Sequence, residues 1–189
     1  MPWITSLPKT PPLPFPGRIS ITPRPVRIAR RREAGHWEID TAVSRRGRAS
    51  LAVATERKTR YVRVKRLPGR TAQHLATALN RSLSHYPARL RASLTYDNGA
   101  ENTEHRRVNT VLGTRSFFCE PFHSWEKGSV ENTIGLVRRF FPKGTDFTRL
   151  PAHAIKRMER WLNRRPHSSL DRMTPEQFYF NQRPLPKAA

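Results

Sequence analysis

Cysteine is nearly absent, acids are few and no long apolar run occurs, and each lack removes a class of protein. One cysteine, Cys119, in 189 residues excludes an internal disulfide and any zinc site built from cysteines. It sits in the apolar run Phe117-Phe118-Cys119, where a small buried hydrophobe is expected rather than a nucleophile. No apolar stretch approaches the roughly 18 residues that a membrane span needs, and the mean hydropathy is −0.72. The opening MPWITSLPKTPPLPF has too much proline for the apolar core of a signal peptide, so export is not expected. Seven histidines are present, but none form an HExxH-type pair. His36, His105 and His123 are therefore expected to serve structure or substrate contact rather than zinc.

The scarcity of acids has a counterpart. Fourteen Asp and Glu face 36 Lys and Arg, a formal net charge of +22. Charge of one sign at this density repels itself, and a polyanion relieves it. Arginine outnumbers lysine, which suits bidentate phosphate contacts. Nucleic acid is the expected partner; composition does not choose between DNA and RNA. A hydrophobic content of 36%, with four Trp and nine Phe, is enough for one domain with a real core.

Residues 1–34 hold eight of the seventeen prolines and seven Lys or Arg against the single acid Glu33. That composition predicts a basic arm or linker, extended or disordered. From Gly35 the texture changes, and residues 35–182 read as the folded domain, with 183–189 a tail. HWEIDTAVS (36–44), 49–55 and 61–65 alternate as three strands joined by short turns. Thr71 caps a helix with an apolar stripe at Leu75, Leu79 and Leu83. A fourth strand is expected over 90–96, a helix over 101–112, and a fifth strand over 115–119. A helix over 152–163 and another starting at Thr174-Pro175-Glu176 complete the chain. Three meandering strands, then two strands each reached across a helix, predict an α/β RNase H-like fold: a five-stranded mixed sheet flanked by helices.

The stretch HSWEKGSVENTIGLVRRFFPKG, from His123 to Gly144, begins as a turn carrying Trp125 and Gly128. It continues as a helix with Val130, Ile134, Val137 and Phe141 on one face and Glu131 at its edge. Alone, this is a surface helix with one stray glutamate. Asp40 in the first strand and Asp97 at the end of the fourth change that reading. In the expected topology these two strands are neighbours, and the helix would lay Glu131 over the same end. Three converging carboxylates repel unless a cation joins them. Oxygen-only ligands suit magnesium, or manganese as substitute, and two such ions can drive phosphoryl transfer with no covalent protein nucleophile. Each acid has a plainer reading. Asp97-Asn98-Gly99 is a turn sequence in its own right, Asp40 could face solvent, and Glu38 shares a strand face with Asp40 and could be the ligand instead. Glu101 and Glu126 are nearby rivals for the other positions.

The acids lie in a set of strings: GHWEID, ERKTRY, LTYDNGAE, FCEPFHSWEKGSVENTIGLVRRFFPKGTDF and LNRRP, in order between about Gly17 and Phe180. Together these resemble the DDE transposases of the IS-thirty family of bacterial insertion sequences. The resemblance implies a catalytic triad of Asp40, Asp97 and Glu131, and the 33 residues between Asp97 and Glu131 match the family's spacing. It implies a retroviral-integrase-like core that cuts transposon ends and joins their 3′ hydroxyls to target DNA with two Mg2+ ions. A homo-oligomer on DNA is also implied, with no membrane and no small-molecule cofactor, in the bacterial cytoplasm on the nucleoid. Arg57, Lys58, Lys127, Arg138, Arg139 and Lys143 are the expected DNA contacts, from charge and closeness to the motifs. Where the family has WEGD this chain has Ile39, a β-branched residue that suits a strand. The family's upstream helix-turn-helix region has no counterpart in residues 1–34, so a truncated or frame-disrupted copy is expected. A DNA-binding remnant that does not transpose is the alternative. An RNA-binding protein would leave all three acids unexplained.

Overall fold

In the computed structural model, residues 17–121 and 123–181 are described. The first sixteen residues of the basic arm and the tail 183–189 lie outside them. The domain is built on five strands, β1 (His36–Val43), β2 (Ser50–Glu56), β3 (Val62–Leu67), β4 (Ser93–Tyr96) and β5 (Arg115–Phe118), in the order β3-β2-β1-β4-β5. The first three pair antiparallel, and β4 and β5 join in parallel, the mixed sheet that the sequence pattern predicts.

Strand alternation divides the core in two. On one face Trp37, Ile39, Ala52 and Ala54 pack against α2 (Ala72–Leu83) and α3 (His105–Leu112). The α2 stripe of Leu75, Leu79 and Leu83 is buried there, and Thr71 accepts from the His74 N–H as its cap. On the other face Ala42, Leu51 and Val53 meet Val130 and Val137 of α4 (Gly128–Phe140), and Ile155, Met158 and Leu162 of α5 (Ala152–Arg164). Ile39 is buried at 1% exposure, so the β-branched side chain is a core residue.

Two elements start later than periodicity suggests. The 90–96 segment opens with a 3-10 turn at Ala88–Leu90, started by Pro87 and pinned where Trp37 Nε1 donates to the Leu90 carbonyl at 2.9 Å. Pairing begins only at Ser93. Gly35 is needed beside it: its φ is +97°, and a Cβ there would meet the Arg89 carbonyl oxygen at 2.2 Å. The 101–112 helix likewise opens as a 3-10 turn (Ala100–Asn102), because Asn102 Nδ2 donates back to Asp97. The α-helix α3 follows and ends at Gly113 in the left-handed region.

Both sheet edges are partly occupied by other segments of the chain, which limits the N–H and C=O groups open to a further strand. Along β3, Asn163 and Glu159 of α5 take the N–H groups of Val62 and Val64. Along β5 lies the arm. Ser20 pairs in parallel with Phe118, the Ile21 N–H donates to the Phe118 carbonyl at 2.7 Å, and Ile21 and Ile28 are buried. The arm also forms a short helix, α1 (Val26–Ala29). The stretch 17–34, expected to be extended or disordered, is thus packed on the domain, since two isoleucines among the prolines and arginines supply apolar surface to bury.

The last helix, α6 (Pro175–Asn181), is held by Tyr179, which stacks on Tyr61 at 4.6 Å and donates to the Leu90 carbonyl. Tyr179 is fully buried with Trp37 and Tyr61 around it. Tyr179→Ala is expected to destabilise the fold by about 3–5 kcal/mol in urea unfolding. A loss below about 1 kcal/mol contradicts this packing.

Candidate active site

Strand register brings the first two acids together. His36, Trp37 and Glu38 of β1 pair with Ser93, Leu94 and Thr95 of β4, and carrying that register two residues on sets Asp40 beside Asp97. Asp40 Oδ1 accepts from the Thr41 N–H at 2.7 Å. Asp97 Oδ1 accepts from the Gly99 N–H at 3.0 Å and from Asn102 Nδ2 at 2.7 Å. The Asp-Asn-Gly sequence therefore acts as a turn while also orienting Asp97. With each Oδ1 held, both Oδ2 atoms point to one position, and a cation already stands there. Lys127 Nζ lies 3.4 Å from Asp40 Oδ2, 3.0 Å from Asp97 Oδ2 and 3.2 Å from the Ile39 carbonyl oxygen.

Lys127, expected on DNA, is 1% exposed and faces the two aspartates rather than solvent. Burial works to lower its pKa, but the charges of Asp40 and Asp97 outweigh that and hold it above the ordinary lysine value. The ammonium is charged at neutral pH. Oxygen donors converging on a cation are the chemistry of a hard divalent-ion site, so the residues present fit such an ion.

Glu131 is exposed, in the first turn of α4 and four residues after Lys127. It does not join the aspartates here: among the described residues no three His, Cys, Asp or Glu side chains form a metal-sized group. Its rivals are committed elsewhere or stand apart. Glu126 accepts from the Glu120 N–H at 2.9 Å, and Glu101 belongs to the 3-10 turn after Asp97.

Glu38 is fully buried and is no metal ligand. Its Oε1 meets Arg57 Nη1 at 2.8 Å, and its Oε2 accepts from the N–H groups of Ser129 and Val130 at 2.8 and 3.0 Å. The carboxylate thus caps α4 from β1, on the sheet face that α4 covers, satisfying two of the free amides at the helix start. Nothing local in the sequence signals this cap, because acceptor and helix are some ninety residues apart.

Arg57, expected on DNA, is 4% exposed; besides Glu38 it donates to the Ala29 carbonyl at 3.3 Å. Its placement is structural. Lys58 is half-buried, with Nζ over the Phe178 ring at 5.8 Å. Arg138 is half-buried too: it donates to the Val43 carbonyl and lies over the Phe147 ring at 5.7 Å. Arg139 and Lys143 are exposed. His36 bonds Ser93 Oγ at 2.8 Å, and His105 packs edge-on against Phe118, its pKa lowered by burial and by Arg106. Burial pushes the Cys119 thiol up to about 12, which removes it as a nucleophile at neutral pH.

On the other flank of α4 is a cleft of about 290 Å3, lined by Arg31, Arg60, Ser129, Asn132 and His167 among others, with no acid in its lining. Arg60 Nη1 donates to Ser129 Oγ at 2.8 Å, and neither Arg31 nor Arg60 has a carboxylate ion-pair partner among the described residues. Burial, and then the charge of Arg31, lowers the Arg60 pKa. Both arginines have positive φ, +56° and +62°, in tight turns, and periodicity carries no signal for them.

Arg57→Gln is expected to destabilise the fold by about 3–5 kcal/mol, because Glu38 would stay buried without its partner. Chemical unfolding measures this. Unchanged stability with weakened DNA binding would return Arg57 to the surface role.

No family model matches the chain. Over 163 residues, 86% of its length, it is 35% identical to the transposase for insertion sequence element IS4351 of Bacteroides fragilis, of which it spans 50%. Over 150 residues, 79% of its length, it is 36% identical to transposase InsI for insertion sequence element IS30A of Escherichia coli strain K12, of which it spans 39%. In fold it is similar to the catalytic core domain of BIV integrase, with a TM-score of 0.60, 19% identity, and 78% of this chain and 95% of that one covered. The fold is thus RNase H-like. No helix among the described residues is long and apolar enough to cross a membrane. The chain spans half or less of the length of these two curated relatives, and over most of its own length it resembles the transposases of bacterial insertion sequences, that of IS30A among them.

Proposed function

We propose that the chain is the catalytic unit of a DNA transposase, which cleaves the ends of a mobile element and joins their 3′ hydroxyls to target DNA. The observation that carries this reading is the convergence of Asp40 Oδ2 and Asp97 Oδ2 on one cation-sized position. Asp40 and Asp97 are the residues to hold Mg2+, or Mn2+ in its place, with Glu131 as the third ligand in the DNA complex. Bound there, two such ions supply an activated hydroxyl and charge stabilisation for the leaving oxygen of a phosphodiester. The chain's own work is orientation. Thr41, Gly99 and Asn102 fix one oxygen of each aspartate, and Glu38 fixes the helix that carries Glu131.

The +22 charge supports DNA as partner. We assign phosphate contact to Arg31 and Arg60 in the cleft beside α4 and to the exposed Arg139 and Lys143. His167 in the same cleft is neutral at pH 7, since burial, Arg165 and Arg60 lower its pKa. The domain reading is 35–182 as the catalytic unit, with 1–34 as basic arm and 183–189 as tail. The protein acts as a homo-oligomer on DNA, in the bacterial cytoplasm on the nucleoid.

Asp97→Asn is expected to lower Mg2+-dependent nicking or joining of model DNA by about three orders of magnitude. Activity equal to the unmodified protein sinks the site assignment. For DNA binding in EDTA, Arg60→Gln is expected to reduce the slope of log affinity against log salt by about 0.9. An unchanged slope, with the fold intact by circular dichroism, removes the cleft from the DNA surface.

A further inference from the structure

Lys127 is enclosed while the acids it faces are open. Its side chain is 1% exposed, against 23% for Asp40 and 37% for Asp97. Solvent, and any ion in it, therefore reaches the carboxylates from the side away from the lysine. The two Oδ2 atoms and the Ile39 carbonyl oxygen surround the ammonium at 3.0–3.4 Å. A divalent ion would draw those same Oδ2 atoms in to about 2.1 Å. Ammonium and divalent ion then compete for the same lone pairs and repel each other at close range. Without either cation, two neighbouring carboxylates repel.

The lysine is also placed to leave. It ends the 3-10 turn Ser124–Lys127, and α4 begins at the next residue, Gly128. Gly128 is exposed, and a Cβ there would meet nothing within 4 Å. The amides that Glu38 holds belong to Ser129 and Val130, so an outward turn of the Lys127 stem breaks none of those bonds.

We infer that Lys127 is a resident counter-ion that holds Asp40 and Asp97 together in the metal-free protein and is displaced into solvent when a divalent ion binds them. The inference rests on reading the aspartates as metal ligands. It makes Lys127 a positioning residue: it keeps the pair assembled before the ion arrives, and its release adds a cation to the flank that bears Glu131.

The test uses the full chain without DNA. Amine acylation read by mass spectrometry should leave Lys127 protected in EDTA and speed its labelling about tenfold or more in Mn2+, with the exposed Lys156 as an unchanging reference. By calorimetry, Lys127→Met should bind Mn2+ about tenfold tighter than the unmodified chain, having no competitor to displace. Mn2+ binding with Lys127 still protected overturns the inference, as does an affinity in Lys127→Met that is unchanged or weaker. If the variant does not fold, the labelling of the unmodified chain decides alone. If the unmodified chain binds no Mn2+, the metal reading of the aspartates falls and this inference with it.

Discussion

A carboxylate sealed from water determines where α4 sits. Glu38 is wholly buried, and an unpaired charge there would cost several kcal/mol. It is tolerated only with every partner in place: the Arg57 guanidinium on one oxygen and the first amides of α4 on the other. Those partners come from the β2–β3 hairpin and from α4, and Arg57 reaches on to Ala29 in the arm. One acid therefore fixes strand, hairpin, helix and arm relative to one another. Lys127 lies just before the amides that Glu38 holds and Glu131 just after, so the geometry of the aspartate pair depends on this contact. Glu56 plays a similar part nearby, accepting from Gly35, His36 and Thr59, with burial pushing its carboxyl up.

The scarcity of acids then makes electrostatic sense. Several of the few present are inside or half inside, paired with Arg57, Arg63 or Lys127. Such pairs leave the surface cationic, the balance that the proposed DNA contact calls for. The buried pairs add little net stability, because desolvation offsets most of their Coulomb energy. They set geometry instead. The acid-free cleft with Arg31 and Arg60 differs in kind, since among the described residues no carboxylate pairs with its cations, and burial and the charge of Arg31 both lower the Arg60 pKa.

What was legible in the sequence was whatever has a period or a register. Alternation located the strands, and the Leu75, Leu79 and Leu83 stripe located α2. Topology put the ends of β1 and β4 together, which brought Asp40 to Asp97. What escaped depends on contacts between distant segments. Charge alone cannot tell a lysine at a phosphate from one between two aspartates, so Lys127 and Arg57 read as surface residues. Proline and arginine made 17–34 look unstructured, although Ile21 and Ile28 anchor it to the β5 edge. Glu131 was legible as a helix-flank acid, and its side chain stays apart from the aspartates here.

The central claim is that Asp40 and Asp97 form the floor of a divalent-ion site. It is tested most directly by a crystal structure grown with Mn2+, using the anomalous signal of the metal. The account predicts a peak about 2.1 Å from Asp40 Oδ2 and Asp97 Oδ2, with Lys127 Nζ moved out from between them. Lys127 still bridging the two carboxylates, with no peak beside them at saturating Mn2+, would contradict it.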